Sequence, residues 1–353
     1  MKYFKALRNR GRGINDRIAR KWRAFSQSHD YTDLDACRPL KKYAFVFVCQ
    51  EGVHEIGALL LAASLKRYLK CDYELVAAIP APSNIMGCPN PLSIKLLEEM
   101  GVRVVNIYNE IVAKNRRDKR HLITNKMYCL KIPTGADKLI FLDSDFLCRN
   151  DFEGDPRFLI PFNARLAIGS GARGYEGRWY KFYEAVNARM PLIRIRVEDG
   201  EHVRYVPPSF NSGFIAVNAN RAAELAECWF ECWETFDRKG VVSSRPYHIG
   251  QYSLSAAVIK MDMPFEIIDR GWFFKYFLVC HEVSEMKKNS EAMRLVISLL
   301  EEYPGILEII KDNPEYNFLL EHKTKPQFVN SNMVNLITPF LCSMTAMVDS
   351  LPI

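Results

Sequence analysis

The sequence predicts an α/β fold in which a mainly parallel central sheet is flanked by helices. Short apolar runs of strand length alternate with segments of helical spacing between residues 43 and 142, and this alternation is typical of crossover units that join parallel strands. The 353 residues are 48% hydrophobic and 25% charged, the composition of an ordinary globular protein. The chain is long enough for one large domain with attachments at its ends.

The predicted elements of this first part alternate regularly. Runs rich in Val, Ile and Phe indicate buried strands, and longer stretches with apolar residues three and four positions apart indicate helices. Gly101 marks the end of the second helix, because glycine is the favoured residue just past a helix end. In chain order we predict a strand at Tyr43–Cys49, a helix at Ile56–Leu69, a strand at Tyr73–Ile79, a helix at Leu92–Met100, a strand at Val102–Ile107, a helix at Thr124–Ile132 and a strand at Lys138–Leu142.

The second half of the sequence is less regular and ends in helical segments. We expect a glycine-rich loop at Gly169–Gly177, a strand at Phe214–Val217 and a helix at Ala222–Phe236. Further helices are expected at Ala292–Glu302 and Ile306–Ile310. The chain therefore changes from a sheet-forming part to a helical part without a sharp linker.

The predicted organisation is one large domain with an attachment at each end. We place a basic N-terminal arm at residues 1–40, an α/β domain with the candidate site at residues 41–270, and a helical region that completes the site at residues 271–353. Residues 1–23 carry nine lysines and arginines against the single acid Asp16. Because apolar side chains lie between these charges, the arm suits an anionic membrane surface. Nucleic acid and a solvated tail are the other interpretations of such a segment.

Composition also predicts where the protein resides. No apolar stretch approaches membrane-spanning length, and residues 1–23 lack the apolar core of a secretory signal. The ten cysteines form no CxxC pair, which favours a reducing compartment over a disulfide framework. We therefore expect a cytoplasmic protein, peripheral on the inner membrane face, with no nucleic-acid partner.

Two carboxylates, separated by one serine, follow the last strand of the first part in the sequence Leu139-Ile-Phe-Leu-Asp-Ser-Asp-Phe-Leu147. Ligands of α/β sheets bind at the carboxyl ends of strands. Hard divalent cations such as Mn²⁺ or Mg²⁺ prefer oxygen ligands and pair with substrate phosphates. Since a buried carboxylate without a partner is costly, we predict that Asp143 and Asp145 bind such a cation; a capped turn is the structural alternative.

Three weaker motifs follow in the chain. Asn211 and Ser212 offer uncharged hydrogen-bonding groups, and Gly213 permits close approach of backbone to ligand. Gln251 has the chemistry to meet a sugar hydroxyl, and His322 is a metal-ligand type beside two lysines. Each motif alone also has an ordinary structural explanation. The motifs are Phe210-Asn-Ser-Gly-Phe-Ile-Ala-Val-Asn218, His248-Ile-Gly-Gln-Tyr-Ser-Leu254 and His322-Lys-Thr-Lys-Pro326.

In this order the motifs resemble those of the glycosyltransferases of A-type fold, and most closely the retaining enzymes of family 8. The resemblance covers residues 43–326 and implies the nucleotide-diphospho-sugar transferase A-type fold with a C-terminal helical appendage. The matching blocks are Phe45–Gln50 and Gly57–Leu69 for the nucleotide-binding strand and helix, Lys126 for the basic residue before the Asp-x-Asp strand, Leu142–Asp145, Phe210–Asn218, and His322 with Lys325-Pro326.

Two positions depart from the family pattern. Gly250 stands where the family has an Asp before the Gln, so any role of that Asp in the sugar site is missing or moved. The terminal motif is compressed, and Gln327 replaces a Trp. The resemblance assigns the third metal ligand to His322, with His281 in reserve.

The resemblance implies a metal-dependent hexosyltransferase that uses a UDP-sugar and retains the configuration of the sugar. The acceptor would be a glycan, a lipid-linked sugar or a protein, in the synthesis of a cell-surface polysaccharide or glycoconjugate. Residues are implied for each role: Asp143, Asp145 and His322 for the metal; Cys49, Gln50, Glu51, Lys126, Ser144 and Lys325, with the two aspartates, for the nucleotide diphosphate; and Asn211, Ser212 and Gln251 for the donor sugar and the incoming hydroxyl.

Other functions stay open at this point. An inverting transferase would need a carboxylate base, for which Glu176, Glu266 and Asp269 are candidates. A sugar-phosphate nucleotidyltransferase shares the fold class and metal, but it carries a glycine-rich basic loop unlike Gln50-Glu-Gly-Val-His54. A non-catalytic nucleotide-sugar-binding protein would not need both carboxylates. A phosphatase of the haloacid dehalogenase type is disfavoured, because its motif has Thr or Val where this chain has Leu147.

Overall fold

The strands are built mainly from Val, Ile, Phe and Ala, the residue types that suit sheets covered on both faces. The computed structural model describes residues 42–114, 119–151, 155–167, 176–199, 202–241, 247–268, 273–275 and 283–311. The strands in these residues are β1 (Tyr43–Val48), β2 (Tyr73–Ala81), β3 (Val102–Tyr108), β4 (Lys138–Leu142), β5 (Phe146–Cys148), β6 (Phe162–Leu166), β7 (Ile195–Asp199), β8 (His202–Val206), β9 (Phe210–Asn218), β10 (Phe265–Ile268) and β11 (Phe273–Lys275).

The helices lie between and after these strands. The start of one of them is set by Asn90, whose side chain accepts a hydrogen bond from the Leu92 amide while proline occupies the first helical turn, a favoured combination at a helix start. The helices are α1 (Val53–Tyr68), α2 (Ser83–Met86), α3 (Pro91–Glu99), α4 (Glu110–Lys114), α5 (Asn125–Cys129), α6 (Glu176–Ala185), α7 (Ala219–Arg238), α8 (Tyr247–Lys260), α9 (Val283–Glu302) and α10 (Gly305–Lys311), with 3₁₀ turns at Lys119–Thr124 and Pro156–Leu159.

The central sheet has seven strands in the order β10-β6-β9-β4-β1-β2-β3. Strands β4, β1, β2 and β3 run parallel to one another, and β10 runs parallel to β6. Strand β9 lies antiparallel between β4 and β6. The predicted fold class, a mainly parallel sheet flanked by helices, is thereby confirmed.

Both faces of the sheet are covered by helices. Successive side chains of a strand point to opposite faces, so Phe45 and Phe47 of β1 pack into the core under α1, α3, α9 and α10, whereas Val46 packs into the core under α5 to α8. All three side chains are fully buried. This three-layer arrangement leaves the strand ends as the edge at which polar side chains can collect.

Two predicted elements near the candidate site differ from those observed. The helix expected at Thr124–Ile132 is shorter, since α5 covers only Asn125–Cys129. The 3₁₀ turn that precedes α5 is stabilised by the Thr124 hydroxyl, which donates to the His121 carbonyl. The strand expected at Phe214–Val217 extends back to Phe210, so that Asn211 and Ser212 belong to β9 itself. The second difference places the Asn-Ser-Gly motif inside the sheet.

The sequence pattern did not predict α6, α8, the β7–β8 hairpin or strands β5, β6, β10 and β11. Helix α8 is buried nearly all round and includes buried Ser253 and Ser255, so it lacks the single apolar stripe from which helices are predicted. The hairpin pairs strands of mixed charge and apolarity. The expected arm at residues 1–40 lies outside the described residues, as does most of the loop at Gly169–Gly177. Among the described helices, none has the length and apolarity to cross a membrane.

Candidate functional site

The candidate site lies where β4 ends beside the beginning of β9. Asp143 follows the last residue of β4, and its amide donates to the Gly213 carbonyl at 2.8 Å. Because the two strands are antiparallel, the carboxyl end of β4 meets the amino end of β9. The structure therefore brings together two motifs that are nearly seventy residues apart in the sequence, Asp143–Asp145 and Asn211–Gly213.

Lys126 forms an ion pair with the first carboxylate of this turn. Its Nζ lies 2.6 Å from Asp143 Oδ1 and 2.9 Å from Oδ2. The same Nζ is 3.5 Å from the Ser212 carbonyl oxygen and 5.8 Å from the centre of the Phe141 ring. The side chains of Lys126 and Asp143 are 16% and 25% exposed, so the pair is well shielded from water, where attraction between charges is stronger.

The Asp143–Asp145 turn is held between two glycines. A Cβ on Gly213 would lie 2.4 Å from Asp143 Oδ2, and a Cβ on Gly57 of α1 would lie 2.5 Å from the Ser144 carbonyl oxygen. Both distances are far below van der Waals contact, so only glycine at these positions allows α1 and β9 to approach the turn this closely. The side chain of Ser144 is buried, and that of Asp145 is partly buried.

His54 is a polar neighbour of the turn that the sequence analysis did not select. It is the second residue of α1, and its Nδ1 lies 3.2 Å from Ser144 Oγ. Desolvation of the imidazole by the surrounding protein lowers the pKa of His54, an effect that the Asp143 carboxylate partly offsets and Lys126 reinforces. No motif marked it, although its place just after β1, where ligands of such sheets bind, is a usable signal.

The three residues expected to meet the nucleotide have different environments. The thiol of Cys49 is fully buried in the core, and this burial raises its pKa. The Gln50 side-chain amide donates to the Met86 carbonyl at 2.9 Å, and Glu51 Oε2 accepts from the Cys88 amide at 2.9 Å. Gln50 and Glu51 thus fix the segment after β2 against the end of β1.

Asn211 and Ser212 lie at the site through β9. Asn211 Oδ1 accepts a hydrogen bond from the Gly213 amide at 2.8 Å, which stabilises the backbone beside Asp143. The Ser212 side chain is 3% exposed, while its carbonyl faces Lys126. Both residues therefore support the backbone around the Lys126–Asp143 pair.

Gln251 lies on α8, which runs beside β9. The Ser255 hydroxyl accepts a hydrogen bond from the Phe210 amide at the start of β9 and donates one to the Gln251 carbonyl. A Cβ on Gly250 would lie 2.6 Å from Ile123 Cγ1. An Asp at position 250 would therefore clash with Ile123.

Several predicted site residues lie outside the described residues. These are His322, Lys325, His281 and Asp269. The backbone of Glu176 begins α6, and Glu266 lies on β10, where Arg157 and Asp155 are its charged neighbours and burial raises its pKa.

Asp143 and Asp145 are the described carboxylates that could hold a divalent cation together with a phosphate ligand. Within the described part of the chain, no group of three His, Cys, Asp or Glu side chains is placed to hold a metal. Mg²⁺ and similar ions are nevertheless commonly held by one or two carboxylates together with substrate phosphates and water. Asp143 and Asp145 supply that number of carboxylates.

Comparison with known proteins gives a family and two solved structures with partial similarity. The model of the Rhodobacterales glycosyltransferase domain matches residues 45–262. Mouse xyloside xylosyltransferase 1, in its apo form, is 15% identical over 65% of this chain and 85% of that chain, with a TM-score of 0.40. Galactosyltransferase LgtC, in complex with donor and acceptor sugar analogs, is 12% identical over 64% and 72%, with a TM-score of 0.41. No curated protein matches the sequence.

Proposed function

This chain belongs to the Rhodobacterales glycosyltransferase domain family, and we propose that it transfers a hexose from a UDP-sugar to an acceptor hydroxyl with the help of a divalent cation. The family match covers more than half of the chain and includes the Asp143–Asp145 turn and β9. The protein is accordingly a glycosyltransferase, and the nucleotidyltransferase and non-catalytic alternatives are set aside. The donor, the metal and the stereochemistry belong to the proposal.

The observation that carries the proposal is the shielded pair of Lys126 and Asp143 at the end of β4, with Asp145 two residues further on. A diphosphate leaving group develops negative charge as the bond to the sugar breaks, and fixed positive charge is most effective there. Lys126 is held within 2.9 Å of both Asp143 oxygens, and we propose that it turns from this carboxylate to the phosphates when the donor binds. Mn²⁺ or Mg²⁺ bound by Asp143 and Asp145 would supply a Lewis acid and a template for the diphosphate.

The remaining roles follow from chemistry and position. Gln50 and Glu51 at the end of β1 are proposed to line the uridine site, with Cys49 supporting them from the core. Asn211, Ser212 and Gln251 are proposed to orient the donor sugar and the acceptor hydroxyl. His322 is proposed as the third metal ligand, and Lys325 as a second cation for the phosphates.

We propose that the sugar keeps its configuration, so that no carboxylate base is required. The position of Glu266 supports this choice, because its charged neighbours are Arg157 and Asp155, at the 3₁₀ turn Pro156–Leu159, and not the Lys126–Asp143 pair. Analysis of the product anomer by NMR tests the choice: the donor configuration supports retention, and the opposite one contradicts it.

We propose a glycan, lipid-linked or protein acceptor, in the synthesis of a cell-surface polysaccharide or glycoconjugate. The basic residues of the arm at 1–40 support an encounter with the anionic inner face of a membrane, since each contributes about 1 kcal/mol near such a surface. Sedimentation with anionic liposomes tests this: the full chain should pellet at low salt, and a chain beginning at Tyr31 should not. Equal pelleting of the two chains contradicts the assignment to the arm.

A screen of sugar nucleotides tests the function itself. Slow hydrolysis of UDP-, GDP- and CDP-sugars is measured with and without Mn²⁺ and without any acceptor. The proposal expects turnover of a UDP-hexose that depends on the metal. Turnover confined to GDP- or CDP-sugars, or unaffected by a chelator, contradicts it.

A further inference from the structure

His54 connects the first strand–helix junction with the Asp143–Asp145 turn. It is separated from Ser144 by 90 residues in the sequence, yet its Nδ1 lies 3.2 Å from Ser144 Oγ. Ser144 stands between the two aspartates, and its side chain is 7% exposed. A side chain that holds Ser144 therefore acts on the residue that separates the two carboxylates.

A second contact from the same helix shows that α1 is fitted to this serine. Gly57 follows His54 by three positions, so the two residues lie on the same face of α1. The His54 side chain contacts the Ser144 hydroxyl. Gly57 packs against the Ser144 carbonyl, and a Cβ on Gly57 would lie only 2.5 Å from that oxygen. Helix α1 thus contacts both the side chain and the backbone of Ser144.

The opposite side of the turn is fixed by β9. A Cβ on Gly213 would lie 2.4 Å from Asp143 Oδ2, and the Gly213 carbonyl accepts a hydrogen bond from the Asp143 amide. The turn is consequently clamped between α1 and β9. Of these contacts, the one between His54 and Ser144 joins two polar side chains, and it can form or break without moving the backbone.

We propose that His54 is a positioning residue of the donor site: by holding the Ser144 hydroxyl, it fixes the orientation of the Asp143 and Asp145 carboxylates before metal and diphosphate bind. This inference rests on the proposed function. Groups that hydrogen-bond to metal ligands and orient them typically change metal affinity or activity by about 10- to 100-fold when they are replaced. His54 does not itself need to touch the donor.

The test compares three substitutions at position 54 that separate the Nδ1 contact from other roles. Asparagine places an amide group near the Nδ1 position, glutamine places it further out, and alanine removes it. Binding of Mn²⁺ to the full chain in the presence of UDP is measured by calorimetry or electron paramagnetic resonance, and donor hydrolysis gives kcat and KM. Thermal unfolding identifies any variant that has not folded.

We expect His54→Ala and His54→Gln to raise the dissociation constant of Mn²⁺ by about 10- to 100-fold, and His54→Asn to recover most of this loss. The effects of His54→Ala and Ser144→Ala should not add in the double variant, because each removes the same contact. Wild-type affinity for Mn²⁺ in folded His54→Ala, or additive effects of the two alanine substitutions, would overturn the role of His54 and leave the proposed function standing. If the wild-type chain binds neither Mn²⁺ nor UDP, the proposed function fails and this role fails with it.

Discussion

The ammonium group of Lys126 contacts both carboxylate oxygens of Asp143, at 2.6 and 2.9 Å. A lysine in this position neutralises the carboxylate when no metal is bound, and it competes with a metal for the same oxygens. A nucleotide diphosphate would give Lys126 a second anionic partner. Binding of metal and of nucleotide should therefore favour each other, because the nucleotide draws Lys126 away from Asp143.

Replacement of Lys126 by methionine tests this competition. Without Lys126, Asp143 is a poorly solvated carboxylate lacking its cation, so we expect Lys126→Met to bind Mn²⁺ more tightly than wild type when no nucleotide is present. Turnover should fall by about 100-fold, since a charge stabiliser is lost. Calorimetry with Mn²⁺ alone and with UDP measures both effects.

Lys131→Met is the matched control, because Lys131 pairs with Glu227 instead. It should leave Mn²⁺ affinity and turnover near wild type. Weaker Mn²⁺ binding by Lys126→Met in the absence of nucleotide would contradict the competition.

The two glycines that clamp the Asp143–Asp145 turn give a second prediction. Gly213→Ala and Gly57→Ala each place a methyl group within 2.5 Å of an oxygen of the turn, so the turn must shift and activity should fall by at least about 10-fold. Gly135→Ala is the control, because its nearest neighbour is the mobile end of Lys42 at 4.0 Å. Wild-type kinetics in folded Gly213→Ala would show that the turn is not held as described.

Lys138, the first residue of β4, provides a test of the buried end of that strand. Its side chain is fully buried, and its Nζ donates to the Ile160 and Pro161 carbonyls and to Asn218 Oδ1. Burial lowers its pKa from 10.5 to about 7. Between these two values the unfolded chain holds a proton that the folded chain has released, so this residue's contribution to the free energy of unfolding rises with pH.

The prediction concerns wild type relative to Lys138→Met. The free energy of unfolding of wild type, minus that of the variant, should increase from pH 7 to pH 10. Urea unfolding at several pH values measures this difference. If this difference in the free energy of unfolding stays constant or falls as the pH rises, the lowered pKa of Lys138 is contradicted.

The third metal ligand can be tested by comparing two histidines outside the described residues. The order of His322 and Lys325-Pro326 in the sequence predicts that His322→Ala raises the Mn²⁺ concentration needed for half-maximal activity far more than His281→Ala does. Metal titrations of both variants give the ranking. The reverse ranking would show that the compressed terminal motif was assigned wrongly.

The sequence predicted the parallel strands β1, β2, β3 and β4 and the position of Asp143, because apolar strands followed by polar residues leave a direct pattern; the parallel pair β6 and β10 was not predicted. It could not show that β9 runs antiparallel beside β4, since pairing between distant segments depends on tertiary packing. His54 was missed for a related reason: its partner Ser144 lies 90 residues away, and a histidine in the first turn of a helix has no signature. The packing of Ile123 against Gly250 was likewise visible only in the structure.

The most direct test of the central claim is the metal dependence of UDP-hexose hydrolysis by wild type and by Asp145→Asn. Asparagine keeps the size of the side chain and removes its charge, so the variant should fold while losing at least about 100-fold in turnover. Wild-type activity should vanish with a chelator and return when Mn²⁺ is added. Full activity of Asp145→Asn, or wild-type turnover that a chelator does not change, would contradict a metal-assisted transferase at the end of β4.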